Sequence, residues 1–145
     1  MYTRFRGEFI SSRMWFQNVI SEDVILCGVS ALECLEMFTG YFNEKLIEVY
    51  AKKIGHYENI SYAIVDGFEG IECVKIGNVR CTSFEQTIND MLRDFNNTDE
   101  MALAEALNNY YFSHGESFEG LRIRPENRSA FDYLWESAIG YYSGG

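Results

Sequence analysis

Two strand-like runs, Ile71–Ile76 and Val79–Thr82, flank Gly77-Asn78, and a helical pattern begins directly after the second run. Gly-Asn between such runs signals a two-residue hairpin, because both residues tolerate positive φ. A loop of that length sets Ile76 opposite Val79 and Val74 opposite Cys81. These four residues then share one face, while Cys73, Lys75 and Arg80 point to the other, since side chains alternate along a strand. The register therefore excludes a Cys73–Cys81 disulfide.

Ser83-Phe84-Glu85-Gln86 has capping-box spacing. Phe84, Ile88, Met91, Leu92 and Phe95 continue it as one apolar stripe of helical period. Asn96-Asn97-Thr98 interrupts that stripe. A second helix is expected from Asp99 to Phe112, with Leu103, Ala106, Leu107, Tyr110 and Tyr111 facing inward and Asp99 and Glu100 in its first turn, where the helix dipole favours negative charge. Ser113–Gly120 reads as a loop. Pro125 opens a last helix to Tyr142, with Phe131, Leu134, Trp135, Ala138 and Tyr142 as its apolar face.

Upstream, Gly7–Ile20 has a ragged helical stripe, and Val24–Cys27 reads as a buried strand or an extended lead-in to a helix. Ser30-Ala31-Leu32-Glu33 is a second capping box, for a helix reaching Phe38 with Gly40 as its stop. Leu46–Ala51 and Ile60–Val65 are two further strands. The order implies one α+β domain over residues 1–145, a small, mainly antiparallel sheet of three to five strands packed with about five helices. Within it, residues 1–23 form an N-terminal helical segment and 143–145 a frayed tail.

The 145 residues carry 22 acidic and 12 basic side chains, a net charge of −10. With 47% hydrophobic and 16% aromatic residues, the chain lacks the signature of disorder. The negative balance disfavours binding to a phosphate backbone, which rests on Lys and Arg. Arg4, Arg6, Glu8 and Arg13 interrupt any apolar core of a signal peptide. The longest uncharged apolar stretch, Val24–Leu32, has nine residues, against the ~20 that span a bilayer. A cytoplasmic protein without direct DNA or membrane binding is expected.

Cys27, Cys34, Cys73 and Cys81 have no Cys-x-x-Cys spacing and read as small, mostly buried thiols rather than zinc ligands. His56 and His114 sit in loops without a carboxylate or thiol at a catalytic or metal-binding spacing. No phosphate-binding loop, Gly-x-Gly-x-x-Gly or Gly-x-Ser-x-Gly occurs. No catalytic, cofactor or metal site is expected. A small enzyme with a carboxylate pair is the weaker alternative, since acid/base work needs two carboxyls with separated pKa values.

Charge points to interaction surfaces. Glu85, Asp90, Asp94, Asp99, Glu100 and Glu105 accompany Arg93 alone, as solvated helix faces or as a docking surface for a basic partner. Arg4, Arg6 and Arg13 form one basic trio. Arg122, Arg124 and Arg128 form another near the last helix, either an anion or partner site or solvated flanks. The candidate surface comprises Glu85, Gln86, Asp90, Arg93, Asp94, Arg122, Arg124 and Arg128. Tyr133 and Tyr141, off the apolar stripe, are candidate interface aromatics.

Val29-Ser30-Ala31-Leu32-Glu33-Cys34-Leu35 resembles the Ser-Ala-Leu segment of the AbiEi-type antitoxins of type IV abortive-infection systems. Asn78–Asp90 resembles that family's strand leading into Thr-Ser-Pro-Glu-Arg-Thr-hydrophobic-x-Asp. The likeness is carried by Thr82, Ser83, Glu85, Thr87 and Asp90, and departs at Phe84 (Pro in the family) and Gln86 (Arg in the family). It spans residues 24–142. Residues 1–23 are too few for the N-terminal winged helix typical of that family, so the resemblance leads one to expect its C-terminal domain alone. The resemblance implies a non-enzymatic, phage-defence-associated antitoxin that opposes a nucleotidyltransferase-like toxin through contacts. The alternative is an acidic inhibitor from a mobile element, a DNA mimic that binds a basic nucleic-acid enzyme.

Overall fold

The computed structural model describes residues 23–38, 47–55, 60–77 and 79–143, with side chains through Glu136. The expected Gly7–Ile20 helix, the Gly40 stop, Leu46, His56, Asn78 and the 144–145 end of the tail lie outside the described residues. So do the side chains of Ala138, Tyr141 and Tyr142. The chain runs β1 (Val24–Leu26), α1 (Gly28–Cys34), β2 (Ile47–Ala51), β3 (Ile60–Ile64), β4 (Cys73–Ile76), β5 (Val79–Thr82), α2 (Phe84–Arg93), α3 (Glu100–Ser113) and α4 (Arg128–Ser143). Short 3-10 turns, Phe95–Asn97 and Pro125–Asn127, precede α3 and α4.

This is a small α+β domain. Its five strands form one sheet in the order β3-β2-β1-β5-β4. The sheet is mixed rather than mainly antiparallel: β1·β2 and β4·β5 are antiparallel, β1·β5 and β2·β3 parallel. Alternation identifies strands but not distant partners. Here the first strand takes the centre, and residues 65–72 carry the chain from one sheet edge to the other. Phe68 anchors that crossing, its ring centre 5.3 Å from both the Lys52 ammonium and the Arg80 guanidinium. Asp23 draws the same two cations together, at 2.8 Å from Lys52 and 2.7 Å from Arg80.

The hairpin has the expected register, Ile76↔Val79 and Val74↔Cys81. All four cysteines are free; Cys27, Cys34 and Cys81 are buried and Cys73 is exposed. Alternate strand residues Val24, Leu26, Val49, Ala51, Val79 and Cys81 pack with Ala31 and Cys34 of α1 into one core. Val29 and Leu32 of α1 join a second core with Ile88 and Leu92 of α2, Leu103 and Leu107 of α3, and Phe131 and Leu134 of α4. A helix of seven residues thus lies between two apolar clusters, which explains how so short an element is held.

Ser30 is not the cap of α1. The helix starts at Gly28, Cys27 offers no side-chain cap, and α1 ends at Cys34 rather than Phe38. Gly28 turns the chain at φ +55°, which brings the first amides over β2. There the Glu48 carboxylate accepts from the Val29 amide at 3.0 Å, and Ser30 Oγ accepts from the Glu48 amide at 2.9 Å. A Cβ on residue 28 would lie 2.8 Å from Glu48 Oε1, so glycine serves both the dihedral angle and the close approach. Asp99 likewise lies one step outside the first turn of α3, as its N-cap, accepting from the Ala102 amide at 3.1 Å.

Candidate functional site

The turn from β5 into α2 is built from short hydroxyl side chains. Ser83 Oγ accepts from the Gln86 amide at 3.1 Å, as the capping pattern requires. Thr87 Oγ1 donates to the Ser83 carbonyl and lies 2.6 Å from Thr82 Oγ1. Gln86 does not complete the box. Its Oε1 accepts from the Glu72 amide at 3.1 Å and its Nε2 donates to Asp90 at 2.9 Å.

Asp90 is nearly buried and receives the Tyr50 hydroxyl at 2.8 Å, with Arg93 at 3.8 Å. Burial and this bond to a carboxylate push the Tyr50 hydroxyl well above its ordinary pKa. Burial, followed by the nearby Glu48 and Asp90 charges, also drives the Cys27 thiol upward, away from nucleophilic thiolate chemistry.

The adjoining side of α2, about a quarter turn away, performs a different task. Glu85 Oε1 accepts from the Arg122 amide at 2.7 Å. One turn later, Asn89 Nδ2 donates to the Arg122 carbonyl at 2.9 Å, and Asn89 Oδ1 accepts from the Arg124 amide at 2.8 Å. A primary amide offers a donor and an acceptor side by side, as a peptide group does. The two side chains therefore stand in for a neighbouring strand, and residues 121–124 lie along α2 as an extended strip. Asn89 also donates to the Glu85 carbonyl at 2.9 Å and accepts from Asn127 at 3.0 Å, so all four of its bonding positions are filled. Asn127, itself buried, donates to the Asn89 carbonyl at 3.0 Å as well.

Leu121 and Ile123 pack inward against the second core, and Arg122 and Arg124 face solvent. The Arg122 side chain is 87% exposed and only 3.4 Å from Glu85 at its nearest approach. The structure thus joins Glu85, Arg122 and Arg124 on one side of α2, and Gln86, Asp90 and Arg93 on the adjoining side. Asp94 and Arg128 stand apart with local partners, Asn97 at 2.9 Å and Asp132 at 3.3 Å. The guanidinium of Arg128 also lies over the Phe131 ring at 5.2 Å.

His114 caps the end of α3, its Nδ1 within 2.8 Å of the Tyr110 carbonyl and its ring stacked 3.8 Å from that of Tyr110. Tyr133 is 61% exposed, in edge contact with Phe95. Among the described residues, no group of three His, Cys, Asp or Glu side chains is placed to hold a metal, and no helix is long and apolar enough to cross a membrane.

Asn89 and Asn127, which organise this surface, are absent from the sequence-derived candidates. A signal was present, since asparagine inside a helix weakens it and asks for a compensating bond. Compared with models of protein families and with curated proteins, the chain matches none.

Proposed function

We propose that this is a non-enzymatic, antitoxin-like, defence-associated protein of the cytoplasm. It opposes a nucleotidyltransferase-type toxin through contacts at the surface formed by α2 and residues 121–128. The observation that carries this proposal is the use made of the residues on which the AbiEi resemblance rests. Thr82, Ser83 and Thr87 lock the start of α2, Asp90 anchors it to Tyr50, and Glu85 helps hold the exposed arginine strip. These side chains build a rigid presenting surface. Their carboxylates are engaged in internal hydrogen bonds, which favours recognition over acid/base chemistry. Direct DNA binding is not part of the proposal, given the net charge of −10.

The acids give a DNA mimic little to rest on. Of the six between Glu85 and Glu105, Glu85 and Asp90 bond within the domain and Asp99 caps α3. Co-expression with a nucleotidyltransferase-type toxin from a neighbouring reading frame tests the proposal. Growth is expected to be restored, and to be lost again in the R122E/R124E variant. Continued growth arrest with the wild-type protein abundant and folded would overturn it.

A further inference from the structure

The 121–124 strip has an outer edge. In an extended segment, the peptide groups of alternate residues point to opposite sides. Arg122 directs both of its groups to α2, and Arg124 its N–H, through Glu85 and Asn89, while the Arg124 carbonyl accepts from the Asn127 amide. The N–H and C=O of Ile123 therefore face away, and they make no hydrogen bond among the described residues. Beside them stand two arginines, two residues apart, whose backbone positions are about 7 Å apart in an extended segment. That of Arg124 makes no ion pair among the described residues. From Leu121 to Arg128, three arginines accompany Glu126 alone, a local positive sign on a strongly negative chain.

We infer that this strip docks an extended, acidic protein segment, which pairs its backbone with the Ile123 peptide groups and sets two carboxylates, two residues apart, against Arg122 and Arg124. A main-chain partner opposite Ile123 places its flanking residues on the arginine face, so an acid-x-acid spacing is what the geometry fits. The forked arginine donors match carboxylate geometry. A nucleic acid fits less well. It has no peptide group to offer Ile123. The inference rests on the use of this face for contacts and names the chemistry of what it contacts.

The test is a titration of the isotopically labelled, full-length protein, followed by NMR. The probe is a capped heptapeptide with two glutamates two residues apart in a Ser/Thr background. Saturable shifts are expected at the Ile123 amide and at the side-chain Nε groups of Arg122 and Arg124, with binding at least tenfold weaker for R122Q/R124Q. The N–H of Arg122 should keep its bond to Glu85. No shift at millimolar peptide would overturn the inference. So would equal shifts with the glutamine counterpart of the peptide, or with a thymidine decanucleotide. Rescue of toxin-arrested growth is read separately. Rescue without peptide binding would overturn the acidic-segment inference alone, and peptide binding without rescue would overturn the toxin proposal alone.

Discussion

Asn89 is 3% exposed, and its side chain replaces a stretch of β-ladder. Replacing it with alanine leaves the Arg122 carbonyl, the Arg124 amide and one Asn127 donor without their partner, while removing little apolar contact. Buried polar groups stripped of partners cost ~1–3 kcal/mol each, partly recovered by water. Asn89→Ala is therefore expected to lower unfolding stability by about 2–4 kcal/mol in urea denaturation. Asn89→Asp should also destabilise, because a carboxylate accepts from Arg124 but repels the Arg122 carbonyl. Ser83→Ala removes one helix cap and should cost ~1 kcal/mol in the same measurement. The Ser83 cap was legible in the sequence because it acts within three residues. The role of Asn89 was not, because its partners lie 33 to 38 residues downstream.

Among the elements, α1 shows how a distant residue can define a helix end. The Ser30-Ala31-Leu32-Glu33 pattern has correct capping spacing, yet it is the Glu48 carboxylate from β2 that accepts from the Val29 amide in the first turn. Gly28→Ala should cost ~1–3 kcal/mol, from the positive φ together with the clash against the Glu48 carboxylate. In an Glu48→Ala background the clash is gone and only the dihedral cost remains. A double-mutant cycle should therefore show coupling between positions 28 and 48. Additive effects would separate the two. The hairpin register and the stripes of α2 and α3 were readable, since each depends on local periodicity or turn chemistry, whereas Pro125 opens only a 3-10 turn and α4 itself begins at Arg128. The mixed sheet was not. Its two parallel pairings depend on where the chain returns after residues 52–59 and 65–72, and no periodic pattern records that.

At the scale of the whole molecule, burial and charge give two expectations. Cys73 alone among the thiols is exposed, and Cys81 is shielded by a hydrogen bond with Cys34 and by burial, which together push its thiol upward. An aromatic disulfide reagent should modify one thiol of the native protein rapidly and the other three only after unfolding. A second concerns acid. Hydrogen bonds from Lys52 and then Arg80 hold the Asp23 carboxyl below its ordinary value of 3.8. Its contribution to stability is then complete above that value and lost as pH falls through the lower, folded-state one. Asp23→Asn should flatten this acid-side loss slightly, and added salt should shrink the difference, because the carboxyl is exposed.

The −10 charge, legible at once, does not by itself say where a docking face would lie. In the folded molecule several acids are internal fasteners, and the feature they expose is basic. Everything proposed for the surface depends on residues 121–124 lying against α2 as an extended strip with the peptide edge of Ile123 turned outward. Amide hydrogen exchange at three consecutive positions measures that arrangement directly. Arg122 and Arg124, bonded to Glu85 and Asn89, are expected to exchange at least tenfold more slowly than Ile123 between them. Equal exchange at all three positions, or protection of Ile123 instead, would contradict it.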